Sequence, residues 1–128
     1  MKISYYAIFN YDEFEIIEHG IGIQFPDVEL AISCAKDDEQ ALYMATDVLI
    51  LVLCRDDRLL PDNINDYPPR TELENIVVGE NEKVALIELD IDYLNKEIPK
   101  FDQGDKFIFS FDWYKQKYCH LVDSRVLS

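Results

Sequence analysis

The side chains of this sequence that could do chemistry are a set of carboxylates, two histidines and three cysteines. Asp27, Glu88, Asp90 and Asp92 have the best claim on a divalent cation, because a two-metal hydrolytic centre needs several carboxylates converging on ions about 4 Å apart. Glu88, Asp90 and Asp92 alternate with Ile87, Leu89 and Ile91, which predicts that all three share one face of a strand. A half-buried strand with a solvated outer face shows the same alternation, and Ser4, Tyr6 and Ile8 offer no carboxylate on the first strand to complete a cluster. His19 and His120 lack a partner at metal-ligand spacing and lack a nearby nucleophile pattern. Cys119 and His120 are adjacent, and successive residues on a helix diverge by about 100°. With only four glycines, no phosphate-cradling loop is visible. The sequence is therefore expected to be no enzyme and to carry no cofactor or metal.

Charge points to a partner instead. The 26 acidic against 12 basic side chains give a formal net charge of -14, and the pI is about 4.3. Such a chain is repelled by phosphate backbones and attracted to a basic protein, whose opposite field speeds encounter and suppresses wrong partners. Solubility alone also favours an acidic surface. Hydrophobic residues at 48% and charged residues at 30% are a globular balance, which argues against wholesale disorder. The 128 residues allow one core and a short appendage. Cys34, Cys54 and Cys119 are odd in number and scattered, and no basic region followed by an apolar core opens the chain, which together predict free thiols in a reducing cytoplasm. The longest apolar stretch, Val48 to Cys54, is too short to span a bilayer, so no membrane partner is expected.

The elements that must position these residues follow from periodicity. Ile3 to Asn10 is aromatic and β-branched and reads as a first strand. Ile21 to Phe25 alternates as a second, ended by Pro26, and Ala31 to Ala35 reads as a third. Asp37 with Gln40 three residues later is a capping-box pattern for a helix running to about Cys54. Ala41, Met44, Ala45, Val48 and Val52 form its expected sheet-facing stripe. From Val48 onward the helix is apolar almost all round, so Leu49, Ile50 and Leu53 are expected to be covered by another subunit, a partner or the tail. Lys83 to Asp92 reads as a strand, Tyr93 to Ile98 as one helical turn, Lys106 to Phe111 as a strand with Phe107, Phe109 and Phe111 facing one way, and Trp113 to Val122 as a helix.

The order of these parts resembles the HicB antitoxin family. The resemblance rests on Tyr6-Ala7-Ile8-Phe9, on Gly22-Ile23-Gln24-Phe25-Pro26-Asp27-Val28, on the helix start Glu39 to Ala45, on Asp57-Arg58-Leu59-Leu60-Pro61 and on Val84 to Asp90. It covers roughly residues 3 to 95. It implies an α+β, partial ribonuclease H-like fold: an antiparallel three-stranded β-meander, one main helix and a returning fourth strand. It also implies homodimers or higher oligomers and a complex with a basic, mRNA-cleaving HicA-type toxin. On this reading residues 1–98 are the HicB-like domain, with a long loop over 60–82, and 99–128 are a C-terminal strand-helix extension. Glu29-Leu30-Ala31 lacks the glycine-bearing turn of many family members. The tail resembles the strand and first helix of a ribbon-helix-helix unit whose second helix is missing.

Two functional surfaces are expected. A toxin-facing surface combines Asp12, Glu13, Glu15, Asp27 and Glu29 with Phe14 and Phe25, since an inhibitor of an RNA-gripping protein needs negative charge around an apolar anchor. The helix start, Asp37-Asp38-Glu39, could extend it. As the second reading, an autorepressor would read DNA through the tail, with Lys106, Ile108 and Ser110 outward on the strand and Lys115 and Lys117 on the helix. The competing expectation is that this tail adds to the sheet edge or covers the apolar helix face.

Overall fold

A computed structural model describes residues 1–11, 20–54, 59–100 and 109–127. Strand β1 (Lys2–Asn10) alternates Ile3, Tyr5, Ala7 and Phe9 toward the core with Ser4, Tyr6 and Ile8 on the other face. It pairs antiparallel with β2 (Ile21–Gln24), Ile8 opposite Gln24, and β2 pairs antiparallel with β3 (Ile32–Ala35), Ile21 opposite Ala35. The other side of β1 takes β4 (Glu82–Asp90) along its whole length, Lys2 opposite Asp90 and Asn10 opposite Glu82. A strand not anticipated from the sequence, β5 (Arg125–Leu127), closes the far edge, giving the order β3-β2-β1-β4-β5. The architecture is α+β, with the meander, main helix and returning strand expected from the sequence.

Helix α1 (Asp38–Cys54) starts where the capping pattern places it: the Asp37 carboxylate accepts the Gln40 amide at 2.8 Å, and Gln40 Oε1 accepts the Lys36 amide at 2.9 Å. Its buried face is rotated from the expected stripe. Met44, Val48 and Val52 are only partly buried, whereas Ala41, Ala45, Thr46, Leu49, Ile50 and Leu53 are in the core. Leu49, Ile50 and Leu53, expected to be covered by another subunit, a partner or the tail, are buried in this chain's own core, Leu49 and Ile50 at 0% exposed, which corrects the first two alternatives. When a helix is apolar all round, periodicity cannot choose its inward face.

Beyond β4 the strand pattern ends two residues early. Asp90 becomes the N-cap of α2 (Ile91–Glu97), its carboxylate accepting the Tyr93 amide at 3.2 Å. The C-terminal segment also departs from expectation. Ser110 caps α3 (Phe111–Gln116), accepting the Trp113 amide at 3.1 Å, so the expected strand does not extend through Phe111. A 3-10 turn, Tyr118–His120, follows in place of the longer helix, and the chain then returns to the sheet as β5.

Candidate functional site

The carboxylates singled out for metal chemistry do not converge. Asp92 lies in the first turn of α2, off the strand face, and pairs with the amino terminus, whose hydrogen bond and then charge hold its carboxyl below the usual range. Glu88 sits 3.7 Å from Lys2 Nζ and accepts the Asp123 amide, while Asp90 caps α2. Asp27 takes two hydrogen bonds from Thr71, amide and hydroxyl, both at 2.7 Å. Among the described residues, no group of three or more His, Cys, Asp or Glu could hold a metal ion. The Cys54 thiol lines a cavity of about 560 Å³ with Leu53, Leu60, Tyr67 and Asn95, and burial pushes its pKa up to about 11, so it stays protonated and unreactive at neutral pH.

Of the expected toxin-facing residues, Phe25, Asp27 and Glu29 are described. Asp12, Glu13, Phe14 and Glu15 lie outside the described residues. Tyr11, the last described residue before them, donates its hydroxyl to the Asp38 carboxylate and so joins the end of β1 to the acidic start of α1. Asp27 and Glu29 lie in the β2–β3 turn, at the opposite end of β3, whose four residues span about 13 Å. Phe25 is a correction: at 2% exposure it belongs to the core and is withdrawn from any partner surface. Glu29 is exposed, and Asp27 holds a loop.

That loop is the feature sequence reasoning missed. Arg70 donates to Ser4 Oγ and lies over the Tyr6 ring, 5.2 Å from its centroid. Both partners are on the face of β1 opposite the core. Farther on, the Asn81 carbonyl accepts the Tyr11 amide at 2.9 Å. The segment from Thr71 to Asn81 is therefore a strap tied at one end to Asp27 in the β2–β3 turn and at the other to the end of β1. Ile8 is on the face of β1 opposite the core and is only 6% exposed. Along the strap, Ile76 is partly buried while Val77 is 89% exposed.

On the helix side, the tail forms an aromatic cover. The Tyr43 hydroxyl donates to the Phe109 carbonyl at 2.7 Å, and the Tyr43 ring lies 5.0 to 5.8 Å from those of Phe109, Phe111 and Tyr114. Phe109 and Phe111 thus pack on α1 at Tyr43 from within the chain, whereas the cover expected of the tail is over Leu49 to Leu53. Lys106, Phe107 and Ile108 lie outside the described residues. Of the expected DNA-reading set, Ser110 is a helix cap instead of an outward strand residue, Lys115 Nζ sits 4.7 Å from the Phe111 ring centroid, and Lys117 is exposed. No helix among the described residues is long and apolar enough to cross a membrane.

No family model and no curated protein matches the chain. A chain of the solved structure described as a toxin-antitoxin complex from Streptococcus pneumoniae is similar, with a TM-score of 0.58 and 16% identity over 94% of this chain and 89% of that one. That likeness is one of fold, the α+β architecture, over most of the chain's length.

Proposed function

We propose that this chain is the inhibitory half of a toxin-antitoxin pair, a non-catalytic cytoplasmic protein that neutralises a HicA-type mRNA-cleaving toxin by covering its basic RNA-binding surface. The observation that carries the reading is the likeness of fold, over 94% of the chain, to a component of a toxin-antitoxin complex. Charge selects the half. A toxin that grips RNA needs a cationic surface, whereas a chain of net charge -14 is repelled by RNA and drawn to such a surface. The carboxylates that might have formed a nuclease centre hold the amino terminus, a helix cap and a loop.

A DNA-reading tail finds less support, because Ser110 caps α3 and the chain then rejoins the sheet as β5. The test is co-expression of the full chain with a panel of small cationic HicA-type ribonucleases, including the one encoded nearest its own gene. The expected result is rescue of growth and a complex that survives purification at moderate salt. Failure to protect against, or bind, any member of the panel overturns the reading.

A further inference from the structure

Two separated stretches of this chain are stripped of cations and leave large aliphatic side chains in water. Between positions 24 and 35 the only charged residues are Asp27 and Glu29, and between 71 and 82 they are Glu72, Glu74, Glu80 and Glu82. In the first stretch Leu30 is 82% and Ile32 67% exposed; in the second Leu73 is 44% and Val77 89% exposed. Single exposed aliphatic residues need no explanation, but several on one side of a molecule do.

One junction joins these stretches. Asp27 clamps Thr71 through two hydrogen bonds of 2.7 Å, so Leu30 and Leu73 sit three and two residues from the same junction. Ile32 pairs with Gln24, whose side of β2 is exposed, and so lies on the sheet face opposite the core, the face on which Arg70 meets Ser4 and Tyr6. Arg70, which precedes Thr71 in the chain, is engaged with Ser4, the Tyr6 ring and, at 3.7 Å, Glu72.

We infer that the strap side of the sheet is the docking surface for a cationic protein, with Leu30, Ile32, Leu73 and Val77 as its apolar centre and the Asp27–Thr71 clamp holding its two halves in register. An apolar centre within a charged rim is the ordinary anatomy of a protein interface, and complementary charge sets its partner. A second copy of this chain would bring Glu29, Glu72, Glu74 and Glu80 against their own kind. Nucleic acid would meet the same carboxylates with phosphate. The inference rests on the antitoxin reading and says where the toxin sits: on the face opposite α1 and the aromatic tail.

The test uses the full chain and the panel of cationic ribonucleases named above, with affinities measured by titration calorimetry at two salt concentrations. The double variant Ile32→Ser, Val77→Ser should keep the wild-type thermal transition, since both side chains are exposed, and weaken Kd at least tenfold. Glu72→Lys with Glu74→Lys should weaken binding similarly and flatten its salt dependence. Glu39→Lys, at the start of α1, should leave Kd within about twofold. If the wild-type chain binds and the strap variants bind equally well, the docking surface is overturned while the antitoxin reading stands. Binding lost in Glu39→Lys alone would move the interface to the α1 start and overturn the proposal equally. If no panel member binds the wild-type chain, both fall. Self-association abolished by the Ile32 and Val77 changes would assign the face to a second copy, and that also overturns it.

Discussion

The Tyr118 hydroxyl bridges two backbone groups of β4, accepting the Asp90 amide at 3.0 Å and donating to the Glu88 carbonyl at 3.1 Å. The side chain is 0% exposed, so water cannot replace either bond. Tyr118→Phe keeps the ring and deletes the bridge, and should cost about 1–3 kcal/mol. Tyr118→Ala also removes the ring and should cost about 3–5 kcal/mol. Urea denaturation of the two variants checks the order; a Phe variant as stable as wild type would show that the bridge contributes nothing.

The same contacts predict how the chain tolerates loss of its tail. Phe109, Tyr114 and Tyr118 are buried with α1 and β4, and β5 extends the sheet. Removing residues 109–128 uncovers Tyr43 and the outer edge of β4, so the shortened chain should lose its cooperative thermal transition and bind a hydrophobic dye. A sharp transition near the wild-type midpoint would mean that residues 1–108 stand alone.

The clamp between Asp27 and Thr71 predicts a local effect. Asp27→Ala removes a charged acceptor from two donors and should cost about 1–2 kcal/mol. Its larger consequence should be faster hydrogen exchange and earlier proteolytic cleavage within 71–81 than elsewhere. Exchange unchanged in that segment would show that the strap is held by its apolar contacts alone.

Alkaline pH should destabilise the fold. Burial raises the Cys54 thiol from 9.0 to about 11 and the Tyr43 and Tyr114 hydroxyls from 10.0 to about 12. Above about pH 9 the unfolded chain releases these protons while the folded chain keeps them, so stability that is complete at lower pH is lost progressively up to about pH 12. Thermal melts between pH 7 and 11 should fall monotonically over the upper half of that range. Flat melts would mean that these groups ionise in the folded protein without penalty.

How far the sequence carries can be seen residue by residue. Ile21 and Ile23 alternate with Gly22 and Gln24, and that period of two is enough to read β2 and its face. Asp37 and Gln40 announce the start of α1 because a cap is a local device. The inward face of α1 was not legible, since Val48 to Cys54 offers no polar side to exclude. Nor was the end of β4: Asp90 continues the alternation while its carboxylate caps the next helix, two roles that the pattern cannot separate. The strap was illegible for another reason. Arg70 reaches Ser4, and Asp27 reaches Thr71, across 66 and 44 positions, and no local spacing encodes such contacts. Phe25 lies in the core and not on a partner surface, a difference the sequence hides because an aromatic beside acidic residues looks the same whether it anchors a partner or the core.

The account depends most on an acidic, catalytically empty scaffold masking a cationic enzyme. The direct measurement is a fluorogenic RNA-cleavage assay of a HicA-type toxin from the panel, titrated with the purified full chain in the presence of a metal chelator. The account predicts that cleavage stops near equimolar chain, that inhibition weakens with added salt, and that the chain alone leaves RNA intact with or without divalent metal. Cleavage undiminished by a large excess of chain, or metal-dependent RNA turnover by the chain itself, would contradict it.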